Sequence, residues 1–384
     1  MIRMRKENMT PKERWLAVLH REKPDRAPMD YWSTPEASAR LIKHLGFSQK
    51  SEGELVKDLN MLPGCEVLLH PSHGVQALHW ALQYLHVDFV ITPVARYVGP
   101  ALPTDTDVFG VHYRSIDYGT GEYSEAATHP LAAFNSVEEI EANYPWPNPD
   151  WWDYAEIAQQ IEGWEDYPIR GGGSEPFLLY KYLRGDEQAM VDLALNPEIV
   201  EYCLGKLFEL AYQDTLRTYE AIPGKVSHSY VAEDMGGQDN LMYSKAHIRR
   251  FLLPGMKRVA DLAHQGGAFV FHHNDGACRS IIPDMIETVG IQALNPIQWR
   301  SKGMEREGLK RDFGDRLIFH GAVDNQYTLP FGSVEQVRQE VQDNLRILGA
   351  GGGYILAPCH NIQPVSPPEN IVAMYQAGYE YGWN

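Results

Sequence analysis

The sequence predicts an α/β protein, a (β/α)8 barrel formed as a single domain over residues 1–384. Three observations predict it. Eight short β-rich segments run along the chain. Helical stretches separate most of them, the pattern of parallel strands joined by helical crossovers. Most of the segments end in polar residues, and barrel enzymes carry their chemistry on the loops that follow the strands. Eight units suit a closed barrel better than an open doubly wound sheet. The GxGxxG turn that marks the open sheet is missing after the first strand.

The first helix starts at Thr10-Pro11-Lys12-Glu13, where Thr10 caps, Pro11 suits the first turn and Glu13 completes a capping box. The expected strands are 26–32, 87–92, 168–173, 226–234, 268–275, 291–298, 317–324 and 354–361. Helices are expected over 186–195, 197–219, 244–264, 280–289, 303–313 and 333–349, and Ser136-x-x-Glu139 reads as a second capping box. Residues 93–166 break the repeat. They hold Gly119-Thr120-Gly121 and the run Trp146–Tyr154 but few regular strands, and we expect them to form an excursion between the second and third barrel strands. Residues 61–86 carry His70, His73, His79 and His86, with an amphipathic helix expected over 74–85. That segment reads better as a surface helix and its loop than as a metal site.

The chain has 384 residues, 44% of them hydrophobic, and a formal net charge of −17. Its length allows one large core. Such an acidic surface repels phosphate backbones and anionic lipid, which argues against nucleic acid and membranes as partners. Cys65, Cys203, Cys278 and Cys359 show no CxxC spacing, so neither a disulfide framework nor a zinc ribbon is expected, and a reducing cytoplasm is. The charged start MIRMRKENMTPKERW lacks an apolar segment, and no run of about 18 apolar residues follows, so neither a signal peptide nor a transmembrane helix is expected.

The chemistry is expected at the strand ends. Asp30, Glu233, Asp234, His272, His273, Asp275, Asn295, Gln298, His320, Asp324, Cys359 and His360 would converge on one face. Buried charge needs a partner or a metal to offset desolvation, so core packing alone explains such a set poorly. In Phe271-His272-His273-Asn274-Asp275-Gly276, His273 and Asp275 can point the same way because alternate strand residues share a face. With Cys359 or His360 they make a three-ligand site with an open position, as in catalytic zinc. Two histidines and a carboxylate equally suit iron, and a strand end that binds substrate without metal is the bland alternative. The adjacent Glu233 and Asp234 can split their pKa values into an acid and an ionised neighbour; capping the next helix or pairing with an arginine is the structural alternative. Gly171-Gly172-Gly173-Ser174 allows close backbone approach to a ligand, whereas Gly349–Gly353 reads as a helix stop. Asn295-Pro296-Ile297-Gln298 is either a polar pocket wall or simple rim hydrogen bonding. Tyr31, Trp32, Trp151 and Trp152 offer material for an aromatic pocket, although such residues usually just pack.

Several stretches together resemble the uroporphyrinogen decarboxylase superfamily, which includes corrinoid-dependent methyltransferases. They are TPKERWLAVLHREKPDRAPMDYW, AEDMGGQDNLMYS, FHHNDG, ALNPIQ, IFHGAVDNQYTLPFGS and YILAPCHNIQPVSPPENI, and the similarity spans nearly the whole chain. The resemblance implies a (β/α)8 barrel and a cytoplasmic enzyme. True uroporphyrinogen decarboxylases carry an arginine-rich substrate motif after the first strand, suited to a substrate with eight carboxylates. Here that segment is MDYWSTPEAS, with no arginine between Arg26 and Arg40. The methyltransferase branch binds zinc through His-x-Cys after the fifth strand and a cysteine after the eighth. His272 matches that histidine. The cysteine position reads Asn274, or Asp275 with one residue inserted, and the last position falls on His360 beside Cys359. The implied set has moved from thiolate to histidine and carboxylate. That disfavours thiol activation and suits an ether, amine or folate partner, or no metal at all.

The resulting expectation is a methyltransferase moving a methyl group between a small substrate, methoxylated or of methylamine type, and a corrinoid protein or tetrahydrofolate. Glu233, Asp234 and Asp30 are its candidate catalytic residues. Tyr31, Trp32, Gly173, Asn295, Gln298, His320 and Asp324 are the candidate substrate contacts. His272, His273, Asp275, His360 and Cys359 are the candidate ligands of zinc or another divalent metal. A homodimer is a further expectation. The rival is a metal-independent decarboxylase or lyase of the same superfamily. A role in binding alone fits the strand-end carboxylates less well.

Overall fold

The computed structural model describes residues 7–59, 72–117, 119 and 122–384. Its centre is a parallel sheet of six strands whose spatial order follows the sequence. Four short strands precede it in the chain: β1 (Arg96–Tyr97), β2 (Tyr113–Asp117), β3 (Glu122–Ala126) and β4 (Trp152–Asp153). The sheet strands are β5 (Arg170–Ser174), β6 (His228–Val231), β7 (Phe269–His273), β8 (Ala293–Asn295), β9 (Ile318–Val323) and β10 (Tyr354–Pro358). Helices run between most neighbours, the longest being Pro197–Ala221. Each sheet strand lies on one of the expected segments.

The first two expected strands form isolated bridges rather than ladders. Met29 pairs in parallel with Leu356, and Ile91 with Ile169. Leu356 donates to the Pro28 carbonyl and Asp30 to Leu356, while Asp88 donates to Met29 and Ile91 to Pro168. The reason is local chemistry. Pro28 has no N–H to give, and the Met29 N–H is taken by the Asp88 side chain at 2.9 Å.

That carboxylate is the hub of a buried ion network. Asp88 Oδ1 lies 2.5 Å from Arg14, and Oδ2 lies 2.7 Å from Arg26. Arg14 also meets Asp25 at 2.7 Å. The network ties the first helix to both bridged segments. The helix, Pro11–Leu19, starts in the expected capping box: the Thr10 hydroxyl accepts from the Glu13 N–H, and the Glu13 carboxylate accepts from the Thr10 N–H. It carries Trp15 onto the first residues of the strands. The indole is fully buried, stacks on His228 at 5.3 Å and Phe271 at 6.0 Å, and donates to the Asp88 carbonyl. Ala293, Ile318 and Ile355 complete this plug.

Between residues 93 and 166, β1 pairs antiparallel with β4 and β2 with β3, and the helices Val137–Asn143 and Ile157–Gln160 follow. In the histidine-rich stretch, the helix His73–Tyr84 buries more than a surface helix does. His79 is buried against Phe89 and Trp164, and burial pulls its pKa down to about 4. His73 meets Ser48, and His86 stacks on Tyr379. His70 and Cys65 lie outside the described residues. Cys203, Cys278 and Cys359 are free thiols. Among the described residues, no helix is long and apolar enough to cross a membrane.

Candidate active site

The C-terminal ends of β7, β8, β9 and the segment ending in Asp30 meet in a continuous chain of hydrogen bonds. Asp30 is buried. Its Oδ2 accepts from His320 Nε2 at 2.9 Å and from the Trp32 indole at 3.0 Å, and its Oδ1 accepts from the Tyr31 N–H at 2.8 Å. The His320 proton therefore sits on Nε2, and Nδ1 accepts from the Asn295 amide. The oxygen of that amide lies 2.6 Å from His273 Nδ1, which carries the proton of that pair. His273 Nε2 is left with its lone pair. Three residues set the tautomer of a fourth. Trp32 stacks on the same imidazole, with ring centroids 5.6 Å apart.

Single donor atoms from His273, Asp275 and His360 all lie within 4.8 Å of one another. His360 Nε2 is 3.7 Å from Asp275 Oδ2, and His273 Nε2 is 3.9 Å from Asp234 Oδ1. Asp275 Oδ1 is buried and has no hydrogen-bond partner among the described residues. Burial pushes the Asp275 carboxyl up, against the pull of His273 and His360. Two imidazoles and a carboxylate in this arrangement fit a divalent ion with an open position. Asp275 is held by its own N–H, which donates to Asp234 at 2.8 Å. The two loops touch backbone to backbone. A Cβ on Gly236 would come within 2.5 Å of the Asp275 carbonyl, so that position has no room for a side chain.

Two further carboxyls stand behind this group. Glu233 is fully buried, accepts from the Phe177 N–H at 2.7 Å at the start of helix Pro176–Arg184, and leaves Oε1 without a partner. Burial raises it well above the ordinary range, and Glu175 adds to the rise. Burial also raises Glu175, opposed by His273 and reinforced by Asp234. Sequence reasoning missed Glu175. Its signal was an acid set directly between the glycine run of β5 and the proline that opens the next helix.

Several expected site residues stand elsewhere. His272 points to the other face of β7. Its Nδ1 donates to the Val231 carbonyl at 2.7 Å and its Nε2 accepts from Asn274 at 3.3 Å, so both nitrogens are in use, and burial lowers its pKa to about 4. The Cys359 thiol is buried, donates to the Ile297 carbonyl at 3.2 Å, and burial keeps it well above the usual thiol range. Tyr31 is turned inward against Ser38. Asp324 spends its oxygens on the N–H groups of Gln326, Tyr327 and Thr328 and on Arg300 at 2.9 Å. Gln298 accepts from the Gly276 N–H, the rim role that its segment allowed. Gly173, at φ +146, has no space for a Cβ, which would stand 2.7 Å from the Tyr230 carbonyl.

Residues 109–381 match the family model for uroporphyrinogen decarboxylase (URO-D). The chain belongs to the uroporphyrinogen decarboxylase family. The matched span contains every strand of the six-stranded sheet and all three residues of the His273 group. Asp30 and Trp32 lie before it. One relative is the methylcobamide:CoM methyltransferase MtaA of Methanosarcina barkeri, 26% identical over 216 residues, which are 56% of this chain and 59% of that protein. Another is the uroporphyrinogen decarboxylase of Pseudomonas putida, 25% identical over 220 residues, 56% of this chain and 55% of that protein. The chain thus spans a little over half the length of the curated relatives it matches. Among solved structures, a methyltransferase from Methanosarcina mazei superposes with a TM-score of 0.64 at 20% identity, covering 97% of this chain and 99% of that one, so the two share a fold.

Proposed function

We propose that this member of the family is a methyltransferase that exchanges a methyl group between a small substrate and a corrinoid protein or tetrahydrofolate. The observation that carries the reading is the His273–Asp275–His360 group with the His273 tautomer fixed by Asn295, His320 and Asp30. A lone pair held in place on Nε2 is what a ligand imidazole needs. The likeness to MtaA supports the same branch. In this reading the two bridged segments complete an eight-strand barrel, with residues 93–166 as an excursion from a single domain.

His273, Asp275 and His360 would hold zinc or another divalent ion. Such an ion, when bound, supplies Lewis-acid polarisation of the heteroatom that carries the methyl group. The chain's own residues do the rest. Glu175, whose carboxyl burial raises, would deliver a proton to the departing heteroatom. Asp234 positions Asp275 through its N–H and faces His273. Glu233 fixes the start of helix Pro176–Arg184, and with it the adjacent Glu175. Trp32 backs the His273 imidazole and excludes water from that side.

Metal stoichiometry on the wild type, His360→Ala and Asp275→Ala tests the reading, alongside methyl transfer followed by the cobalamin absorbance. One ion per wild-type chain, lost from both variants together with methyl transfer, is the expected result. A metal-free wild type with full activity overturns the ion. The rival decarboxylase reading predicts turnover of uroporphyrinogen. We expect none, because Arg26 is spent in a buried pair with Asp88 and no arginine follows before Arg40.

A further inference from the structure

A cavity lies beside the strand ends, between helix Pro197–Ala221 and residues 109–154. Its volume is about 260 Å³. This is below the roughly 300–1,000 Å³ of pockets that take drug-sized ligands, so an occupant is small. Three aromatic side chains line it, Phe109, Trp152 and Tyr154, together with aliphatic groups from the long helix. Trp151, by contrast, packs edge-on against Tyr97 and is not part of the wall.

The polar groups are few, and none of them is cationic. Asp214, in the middle of the long helix, lines the cavity, and the Tyr154 hydroxyl donates to its Oδ1 at 2.8 Å. Glu175 and Ser174 line the end nearest the sheet. The Ser174 hydroxyl is buried and finds no hydrogen-bond partner among the described residues. No lysine or arginine lines the space among the described residues. A carboxyl in the middle of a helix, facing apolar walls without a cation, costs desolvation energy that packing alone does not return. Aromatic faces carry negative quadrupoles and attract cations, and carboxylates add to that attraction. Among the described residues, no cationic side chain lines the cavity to pair with an anion.

We propose that this cavity is a binding site for a small organic ammonium with an apolar body, the charged head against Asp214 and the body against Phe109, Trp152 and Tyr154. The cavity adjoins the His273 group through Glu175, but binding there needs neither a metal nor a methyl donor.

Titration calorimetry of the metal-stripped full-length protein at pH 8 tests it, with benzylammonium, benzyl alcohol and benzoate as probes. Benzylammonium should bind, benzyl alcohol at least tenfold more weakly, and benzoate not at all. Asp214→Asn should weaken benzylammonium at least tenfold and leave benzyl alcohol unchanged. Ala211→Phe, which puts a ring into the space, should abolish binding of both. Circular dichroism identifies variants that fail to fold, and if Asp214→Asn is one of them, the probe order and Ala211→Phe decide. No benzylammonium binding to the wild type, equal binding of benzoate, or unchanged binding in a folded Asp214→Asn or Ala211→Phe variant overturns the proposal. Success or failure here leaves the methyltransferase reading untouched, since no activity is measured.

Discussion

His320 donates through Nε2 to Asp30 at 2.9 Å, although 290 residues separate them in the chain. The bond joins the end of the first bridged segment to β9. It also starts the relay through Asn295 that decides which nitrogen of His273 faces Asp275 and His360.

Asn295→Ala interrupts that relay at both hydrogen bonds. The His273 ring then loses its fixed tautomer and orientation. We expect metal affinity to fall about 10–100-fold, as for other groups that orient a ligand imidazole. Competition with a chromophoric chelator measures it. An unchanged affinity would mean that His273 is oriented by stacking on Trp32 alone.

Glu175→Gln keeps the shape of the side chain and removes its proton. We expect kcat for methyl transfer to fall by about 10²–10⁴, the range for a general acid, with KM little changed. Glu233→Gln should be mild by comparison, because its carboxyl, pushed up by burial, serves as an acceptor for the Phe177 N–H, a role the amide oxygen keeps. Equal losses in both variants would move the acid role to Glu233.

Asp88→Ala takes the shared carboxylate from two buried arginines, leaving Arg14 only Asp25 and Glu7, and Arg26 only Glu7. Removing one member of a buried network leaves uncompensated charge, at a cost of about 3–5 kcal/mol. Urea denaturation should show this loss. A change below about 1 kcal/mol would contradict the network's role in fixing the first helix.

His79 makes stability depend on pH. Its folded pKa, about 4, lies below the unfolded value of 6.5 because burial disfavours the charged ring. The unfolded chain therefore binds the extra proton first as pH falls. Stability from this group is complete above pH 6.5, declines as pH drops and is gone below about 4. His79→Phe keeps the stacking on Phe89 and Trp164 and removes the slope. Relative to wild type it should gain about 2 kcal/mol between pH 7 and pH 5. His272, lowered to the same degree, keeps part of the slope in both proteins. Parallel stability curves for wild type and variant would refute the assignment.

Which residues gather at the strand ends was legible in the sequence, because a strand's last polar residue has few other places to go. Asp30, His273 and Asn295 follow from that rule, whereas His320 stands in the middle of β9. Which of two neighbours faces the site was not legible. His272 and His273 are adjacent on β7, and Cys359 and His360 follow one another after β10; successive residues on an extended chain take opposite faces. Choosing between them needs the register against the next strand, which is a tertiary fact. His272 is claimed by the Val231 carbonyl and Cys359 by that of Ile297, and neither partner is near in sequence. Asp324 was expected at the site from its place at a strand end, but its oxygens are taken by three N–H groups of its own turn and by Arg300, which the sequence does not show. The ladder of the first strand failed for a reason visible only in space: a side chain, Asp88, took the hydrogen bond that a backbone carbonyl would otherwise receive.

Trp15 closes the end of the sheet opposite His273. Its ring fills the space between the first residues of the strands, and its N–H is tied to the Asp88 carbonyl. That end of the sheet is thus filled by protein. In the proposed methyl transfer, both reactants would come to His273 from the side where Asp275 and His360 stand. Turn-taking would follow: the first visitor leaves before the second arrives, or the second covers the first and waits above it.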